Sequence, residues 1–282
     1  MEKQEYWTEV ISPKSSIFNL NLKAVWEYRD LLLMFVKRDF VSTYKQTILG
    51  PLWFFIQPLL TTITYMVIFG NIAKISTDGI PMTLFYMAGI TLWNYFAECL
   101  NKTATVFKDN ANIFGKVYFP RLVMPLSIVV SNLIRFCIQF LLFLCFWFYY
   151  LIKGGHLNPN LFILLVPYLV LLMAVISLGA GMMISALTTK YRDLIFLLTF
   201  GIQLMMYATP VIYPLSSIPK KYAVFIKLNP LSALLETFRF AFTGSGVFSW
   251  VSLIYSSFFA IAILLLGTVI FNKVEKSFMD TV

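Results

Sequence analysis

Six stretches of this 282-residue chain, near 51–73, 82–107, 122–151, 161–187, 194–213 and 248–271, are apolar over the ~20 residues that a helix needs to cross a hydrocarbon core about 30 Å thick. Few folds are open to such a chain. A lone segment in lipid must satisfy its backbone N–H and C=O groups internally, so each run is expected to be helical. Composition agrees: 59% of residues are hydrophobic and 12% charged, against roughly 45–50% and about 25% in soluble domains. The expected class is an all-α integral membrane protein with six transmembrane helices.

Lys and Arg set the expected orientation. With the N-terminus inside, fifteen fall on the cytoplasmic side and six outside (Lys74, Lys153, Lys220, Lys221, Lys227 and Arg239), so both termini are expected to be cytoplasmic. The net charge of +9 then reads as topology and contact with anionic membrane lipids. Nucleic acid is not an expected partner, because no long basic run interleaves with aromatics. The first ~30 residues are polar and carry Glu2, Glu5 and Glu9, so the sequence predicts no cleavable signal and insertion directed by the first span. Cys99, Cys137 and Cys145 lie within predicted spans and read as buried packing residues without metal-ligand spacing. His156, the single histidine, falls in an outer loop and excludes a multi-histidine zinc site or a Ser-His-Asp triad.

Three segments break the plain six-span pattern. Residues 24–41 carry a polar stripe of Glu27, Asp30, Lys37 and Arg38 on an otherwise apolar surface, which predicts a helix lying in the membrane interface, either as an anchor or as a partner contact. It runs through Leu49-Gly50-Pro51 straight into the first span. Between spans two and three, about 108–125, charges mix with Ile113, Phe114, Tyr118 and Phe119. Apolar side chains in a short cytosolic loop ask for a covering surface, and Pro120 and Pro125 limit any helix there. The stretch of about 213–247 is apolar but interrupted at Asn229-Pro230, and neither half is long enough to span. A pair of short re-entrant helices between spans five and six is expected, covered by protein or by a water-filled path.

Several local patterns, in order along nearly the whole chain, carry a resemblance. They are Lys37-Arg38-Asp39-Phe40, Tyr44-Lys45-Gln46-Thr47, Leu49-Gly50-Pro51-Leu52-Trp53, Gln57-Pro58, Lys116-Val117-Tyr118-Phe119-Pro120-Arg121, Tyr191-Arg192-Asp193, Thr209-Pro210-Val211-Ile212-Tyr213 and Leu228-Asn229-Pro230. Together they resemble the permease subunit of bacterial ABC-2-type exporters, the group that moves O-antigen, capsule or teichoic-acid polymers. The resemblance implies residues 1–50 as a tail with an interface helix and 51–282 as the transmembrane domain, in a homodimer docked on two ATP-binding cassette subunits in the bacterial inner membrane. The chain has no G-x-x-x-x-G-K-[ST] loop. It is therefore expected not to be an enzyme itself and to bind no cofactor, with ATP and Mg on the partner.

Carried over from that family, Asn112, Lys116, Tyr118, Phe119, Pro120 and Arg121 would couple to the ATPase, the alternative for Lys116 and Arg121 being plain topological charge. A polyprenyl-pyrophosphate-linked glycan would be admitted past Arg38, Lys45, Leu49 and Gly50, where cations at headgroup depth meet a pyrophosphate and glycine permits an unusual backbone angle. Tyr65, Tyr86, Trp93, Tyr95, Tyr207 and Phe238 would line a dimer-centred path with ring faces for sugars, the alternative being interfacial or lipid-facing packing. Two ionisable residues fall inside spans, Glu98 and Arg135. They either pair across helices or line the conduit, unless Glu98 sits low beside Lys102. A drug or small-lipid efflux permease would share the topology. A membrane-embedded glycosyl- or acyltransferase would want clustered carboxylates or His, and the 13 Asp and Glu are scattered.

Overall fold

The computed structural model describes residues 22–45, 47–117, 119–154, 157–191 and 193–278. Tyr118, Gln46, Arg192 and His156, each part of an expectation above, lie outside the described residues, as does the 1–21 tail. Twelve α-helices and no strand occur among the described residues: α1 (Leu22–Glu27), α2 (Arg29–Tyr44), α3 (Trp53–Tyr65), α4 (Met82–Ala104), α5 (Val106–Asp109), α6 (Ala111–Phe114), α7 (Val123–Ile152), α8 (Val166–Lys190), α9 (Leu194–Tyr207), α10 (Lys220–Leu228), α11 (Pro230–Thr243) and α12 (Trp250–Phe278). A 3-10 turn, Gly50–Leu52, leads into α3, and a π-helical stretch, Met66–Ile72, continues it.

Four helices are long and apolar enough to cross a membrane: Gly50–Ile72, Val123–Ile152, Leu161–Lys190 and Trp250–Val274. Helices stand at the other two predicted positions but fall short of that test in different ways. α4 has the length, 23 residues, but its second half carries Asn94, Glu98, Asn101 and Lys102. α9 is apolar but has 14 residues, about 21 Å of helix.

The lower apolarity of α4 goes with its position. Sixteen of its 23 residues are buried, because α7, α8 and α11 pack around it. α8 is wedged between α4 and α12 through small residues. A Cβ on Gly179 would stand 2.7 Å from the Ile263 carbonyl, Gly267 abuts the Gly179 backbone, and Gly181 abuts Thr103. Such small-residue contacts let spanning helices approach closely enough for backbone packing. α3 differs: only 11% of its apolar window is buried, so most of its surface faces away from the subunit.

The interrupted stretch folds as two short helices, α10 and α11, meeting at Asn229-Pro230. The Asn229 side chain caps α11 by accepting from the Leu231 N–H at 3.1 Å. Irregular backbone beside α11 is satisfied by protein groups. Asn158 and Asn160 amides donate to the Thr243 and Ala241 carbonyls, the Asn160 and Trp147 side chains donate to those of Phe240 and Phe242, and Ser256 donates to that of Pro230. α11 is therefore an internal element, buried along most of its length.

At one end of the bundle, here the α2 end, α2 lies against the start of α7. Its apolar side, including Phe35 with Leu31 and Leu32, joins Val25, Phe107, Phe114, Phe119, Val123, Met124 and Phe271 in a hydrophobic cluster. The amphipathic segment thus packs much of its apolar side on the protein, leaving Trp26, Leu33 and Met34 exposed. The three cysteines are free, and only Cys99 is buried; Cys137 and Cys145 are exposed on α7, which corrects the expectation of a wholly buried set.

Candidate functional site

The α2 end gathers most of the predicted coupling residues. α5 and α6 have four residues each, Pro120 lies between α6 and α7, and Pro125 sits in the first turn of α7, where its missing N–H leaves no helical bond unmade. What holds this broken segment is a run of rings. Phe35 of α2 meets Phe119 at 5.7 Å, Phe119 stacks on Phe114 at 5.6 Å, Phe114 meets Phe107 at 5.7 Å, and Phe107 stacks on Phe271 of α12 at 4.7 Å between centroids. Phe119 is 4% exposed and so is part of this core. Arg121 lies over the Phe114 ring, 5.7 Å from its centroid, and Pro120 is half-buried. Asn112, Lys116 and Val117 stand exposed at the tip. Those three form the face that a partner can reach.

The predicted intake residues divide. Arg38 is turned toward the loop: its guanidinium pairs with Asp39 at 2.8 Å, donates to Asn110 Oδ1 at 3.2 Å and sits over the Phe35 ring at 4.9 Å. It lines a cleft of about 460 Å³ with Asp39, Ser42, Lys102, Asp109, Asn110 and Asn112. Lys45 and Leu49 are exposed beside it in sequence. Gly50 has φ +52°, and nothing stands within 4 Å of where its Cβ would be. Glycine is therefore favoured there by backbone angle, not by space.

Glu98 and Arg135 come together, 3.9 Å apart across α4 and α7, and Lys102 reaches the same Glu98 oxygen at 3.7 Å. Arg135 also donates to the Asp39 carbonyl at 3.5 Å and lies over Phe54. This charge cluster ties the C-terminal parts of α2 and α4 to the first half of α7. Glu98 sits in the last two turns of α4, toward the α2 end.

Of the six aromatics expected along a path, four are inside the subunit. Tyr86, Trp93, Tyr95 and Phe238 are each at most 5% exposed and pack with Phe85, Phe96, Phe136 and Phe143. Sequence spacing cannot separate a ring facing a conduit from one facing a neighbouring helix. Tyr65, half-buried, and Tyr207, 49% exposed, remain at the surface. They stand on α3 and α9, which Tyr65 links by a hydroxyl contact to Met206 Sδ at 3.5 Å.

The opposite end, called the hinge end because the chain turns there from α9 toward α10, holds a cation whose burial the sequence reading did not anticipate. Arg239, counted there among the outside-facing basic residues, is 1% exposed on α11. Its guanidinium donates to the carbonyls of Pro210 at 2.5 Å and Val211 at 2.6 Å, pairs with Glu236 at 3.3 Å, and lies 3.8 Å from the centroid of the Phe85 ring. The i,i+3 spacing of Glu236 and Arg239 within an apolar run was the available signal. The same turn is held by Asn229, whose side-chain amide donates to Thr209 Oγ1 at 2.8 Å, and by Tyr213, whose hydroxyl donates to the Tyr207 carbonyl at 2.8 Å.

Comparison with known proteins places the chain among export permeases by sequence. The chain is 30% identical over 253 residues to the O-antigen export system permease protein RfbA of Klebsiella pneumoniae, covering 89% of this chain and 94% of that protein. It is 29% identical over 223 residues to the RfbA permease of Myxococcus xanthus, 78% of this chain and 83% of that one. To the polysialic acid transport protein KpsM of Escherichia coli it is 24% identical over 249 residues, 86% and 93% of the two chains. Residues 30–243, from the interface helix to the end of α11, match the ABC-2 type transporter family, and the chain is a member of that family.

Proposed function

We propose that this chain is the permease subunit of an ATP-driven exporter that moves a lipid-linked polysaccharide across the bacterial cytoplasmic membrane. The observation that carries the reading is similarity over nearly its full length to permeases named for O-antigen export, with polysialic acid and capsule transporters among the more distant relatives. In this reading α4 and α9 complete six crossings. α4 is long enough at about 34 Å, and the charged groups of its second half lie toward the α2 end, where Glu98 pairs with Arg135 of α7. The short α9 is extended by the clamped turn of Thr209–Tyr213. α10 and α11 form the re-entrant pair on the outer side, and both termini are cytoplasmic.

The chain itself carries out no chemistry. Two copies form the conduit, and ATP is hydrolysed on two ATP-binding cassette subunits docked at the α2 end. The exposed tip of Asn112, Lys116 and Val117 fits that role, and the ring run from Phe119 to Phe271 joins the tip to α12. A pyrophosphate-linked glycan is admitted between Lys45 and Gly50, at the junction of the interface helix with the first span. Cells depleted of the protein test the reading: polyprenyl-linked polymer is expected to build up on the cytoplasmic side of fractionated membranes. No build-up, with new sensitivity to amphiphilic drugs, would replace it with small-molecule efflux.

A further inference from the structure

The hinge end contains an assembly that neither substrate admission nor ATPase docking uses. The polypeptide leaves α9 at Tyr207 and makes a tight turn in which the Val211 N–H reaches the Thr209 carbonyl at 2.6 Å. Thr209, Val211 and Ile212 are all buried. Two carbonyls in such a turn have no helical partner, and leaving them bare in an apolar interior carries a large desolvation penalty. Arg239 supplies both. Its planar fork reaches Pro210 and Val211 from one side chain, with Glu236 balancing the charge. Phe85 provides a ring face beneath it, and Gly89 provides the room: a Cβ there would stand 2.7 Å from Arg239 Nη2 and 2.7 Å from the Val211 carbonyl. Residues of α4, α11 and the turn that follows α9 are thus built around one guanidinium. A small cavity of about 80 Å³, lined by polar groups that include Ser232, Thr237 and Ser249, borders the Glu236 carboxylate.

We propose that Arg239 is a positioning residue for translocation, a latch that fixes the end of α9, and with it Tyr207, to α11 and α4 so that the three move as one body. The role in translocation rests on the export reading above; the latch itself does not. Lysine cannot replace the fork, since an ammonium is a point donor that does not span two carbonyls and a carboxylate in one plane. Glycine 89 offers a second handle that leaves every charge in place.

The test uses the full-length protein co-expressed with its ATPase partner, as wild type, Arg239→Lys and Gly89→Ala. Hydrogen exchange is read at the amides of 208–213 other than Pro210 and, as an internal reference, along α8. In both variants exchange at 208–213 is expected to rise about tenfold or more with α8 unchanged, while exported polymer falls and ATP hydrolysis by the assembled complex persists. Unchanged exchange at 208–213 in Arg239→Lys would overturn the latch, and so would a rise shared equally by α8, which means general loosening. A freed turn with normal polymer export would overturn its role in translocation. Exchange needs no substrate, so a chain that carried no polymer would still pass or fail the latch while failing the export reading.

Discussion

Gly50 and Phe119 show how differently single residues act at the α2 end. At Gly50 a side chain meets no obstacle, yet φ is +52°, a region that β-branched residues enter only under strain while Asn tolerates it. Gly50→Val is therefore expected to reduce export several-fold and Gly50→Asn to keep most of it, read as surface polymer per cell. Equal export by both variants would remove the turn from the intake route. Phe119 is a packing residue: it touches rings on α2 and α6, and truncation to Ala is expected to destabilise the protein by about 3 kcal/mol, seen as a lower Tm in detergent. Lys116 is exposed, so Lys116→Glu should leave Tm unchanged and reduce co-purification of the ATPase. Full recovery of the ATPase with Lys116→Glu would move the docking face elsewhere. The sequence could mark this loop as a contact because apolar residues in a short polar connection are conspicuous. It could not say that Phe119 faces inward and Lys116 outward, since that depends on α2 lying across the loop.

Helices were legible where a local signal ends them. Pro120 stands just before α7, Asn229-Pro230 splits α10 from α11, and the long apolar runs appear within a few residues of their expected places. What local signals do not encode is the environment of an apolar helix. α3 and α4 begin from similar runs, but one is mostly exposed and the other mostly buried. Nor does a local signal show that Arg239, counted among the outside-facing cations, is buried on α11. Glycine pairs belong to the same class, since Gly179 and Gly267 are far apart in sequence and meet only when α8 and α12 pack. Gly179→Leu is expected to force those helices apart and to lower stability by at least about 1–3 kcal/mol, measured as lost folded protein after detergent extraction and heating. Gly201→Leu on α9 is the matched control, because nothing stands within 4 Å of a Cβ there. If the two variants extract and melt alike, the close α8–α12 approach is not what holds the bundle.

At the scale of the whole molecule the distribution of buried surface is uneven, and that asymmetry bears on assembly. α4, α7, α8 and α11 surround one another, whereas α9 buries only Ile202 and presents Phe196, Phe200, Leu204 and Tyr207 along one side at helical spacing. α3, joined to α9 through Tyr65 and Met206, is the least buried of the long helices and carries the π-helical stretch, an irregularity that recurs at functional sites. A twofold dimer buries the same patch on both copies, so residues near the axis face their own counterparts. In the proposed homodimer, α3 and α9, the spanning helices that pack least on their own subunit, would be left for that contact, and their surface rings Tyr65 and Tyr207 would be the aromatics available to a sugar chain. Single cysteines at Phe200 and at Ile63 of α3, in a chain whose three native cysteines are replaced, are expected to form disulfide-linked dimers in native membranes under mild oxidation. A cysteine at Leu171 of α8, exposed but on a different helix, should not. Dimers at Leu171 with none at Phe200 or Ile63 would put the twofold axis on α8 and leave α3 and α9 to lipid. With no cross-link at any of the three, the homodimer would have to be sought from the mass of the purified complex.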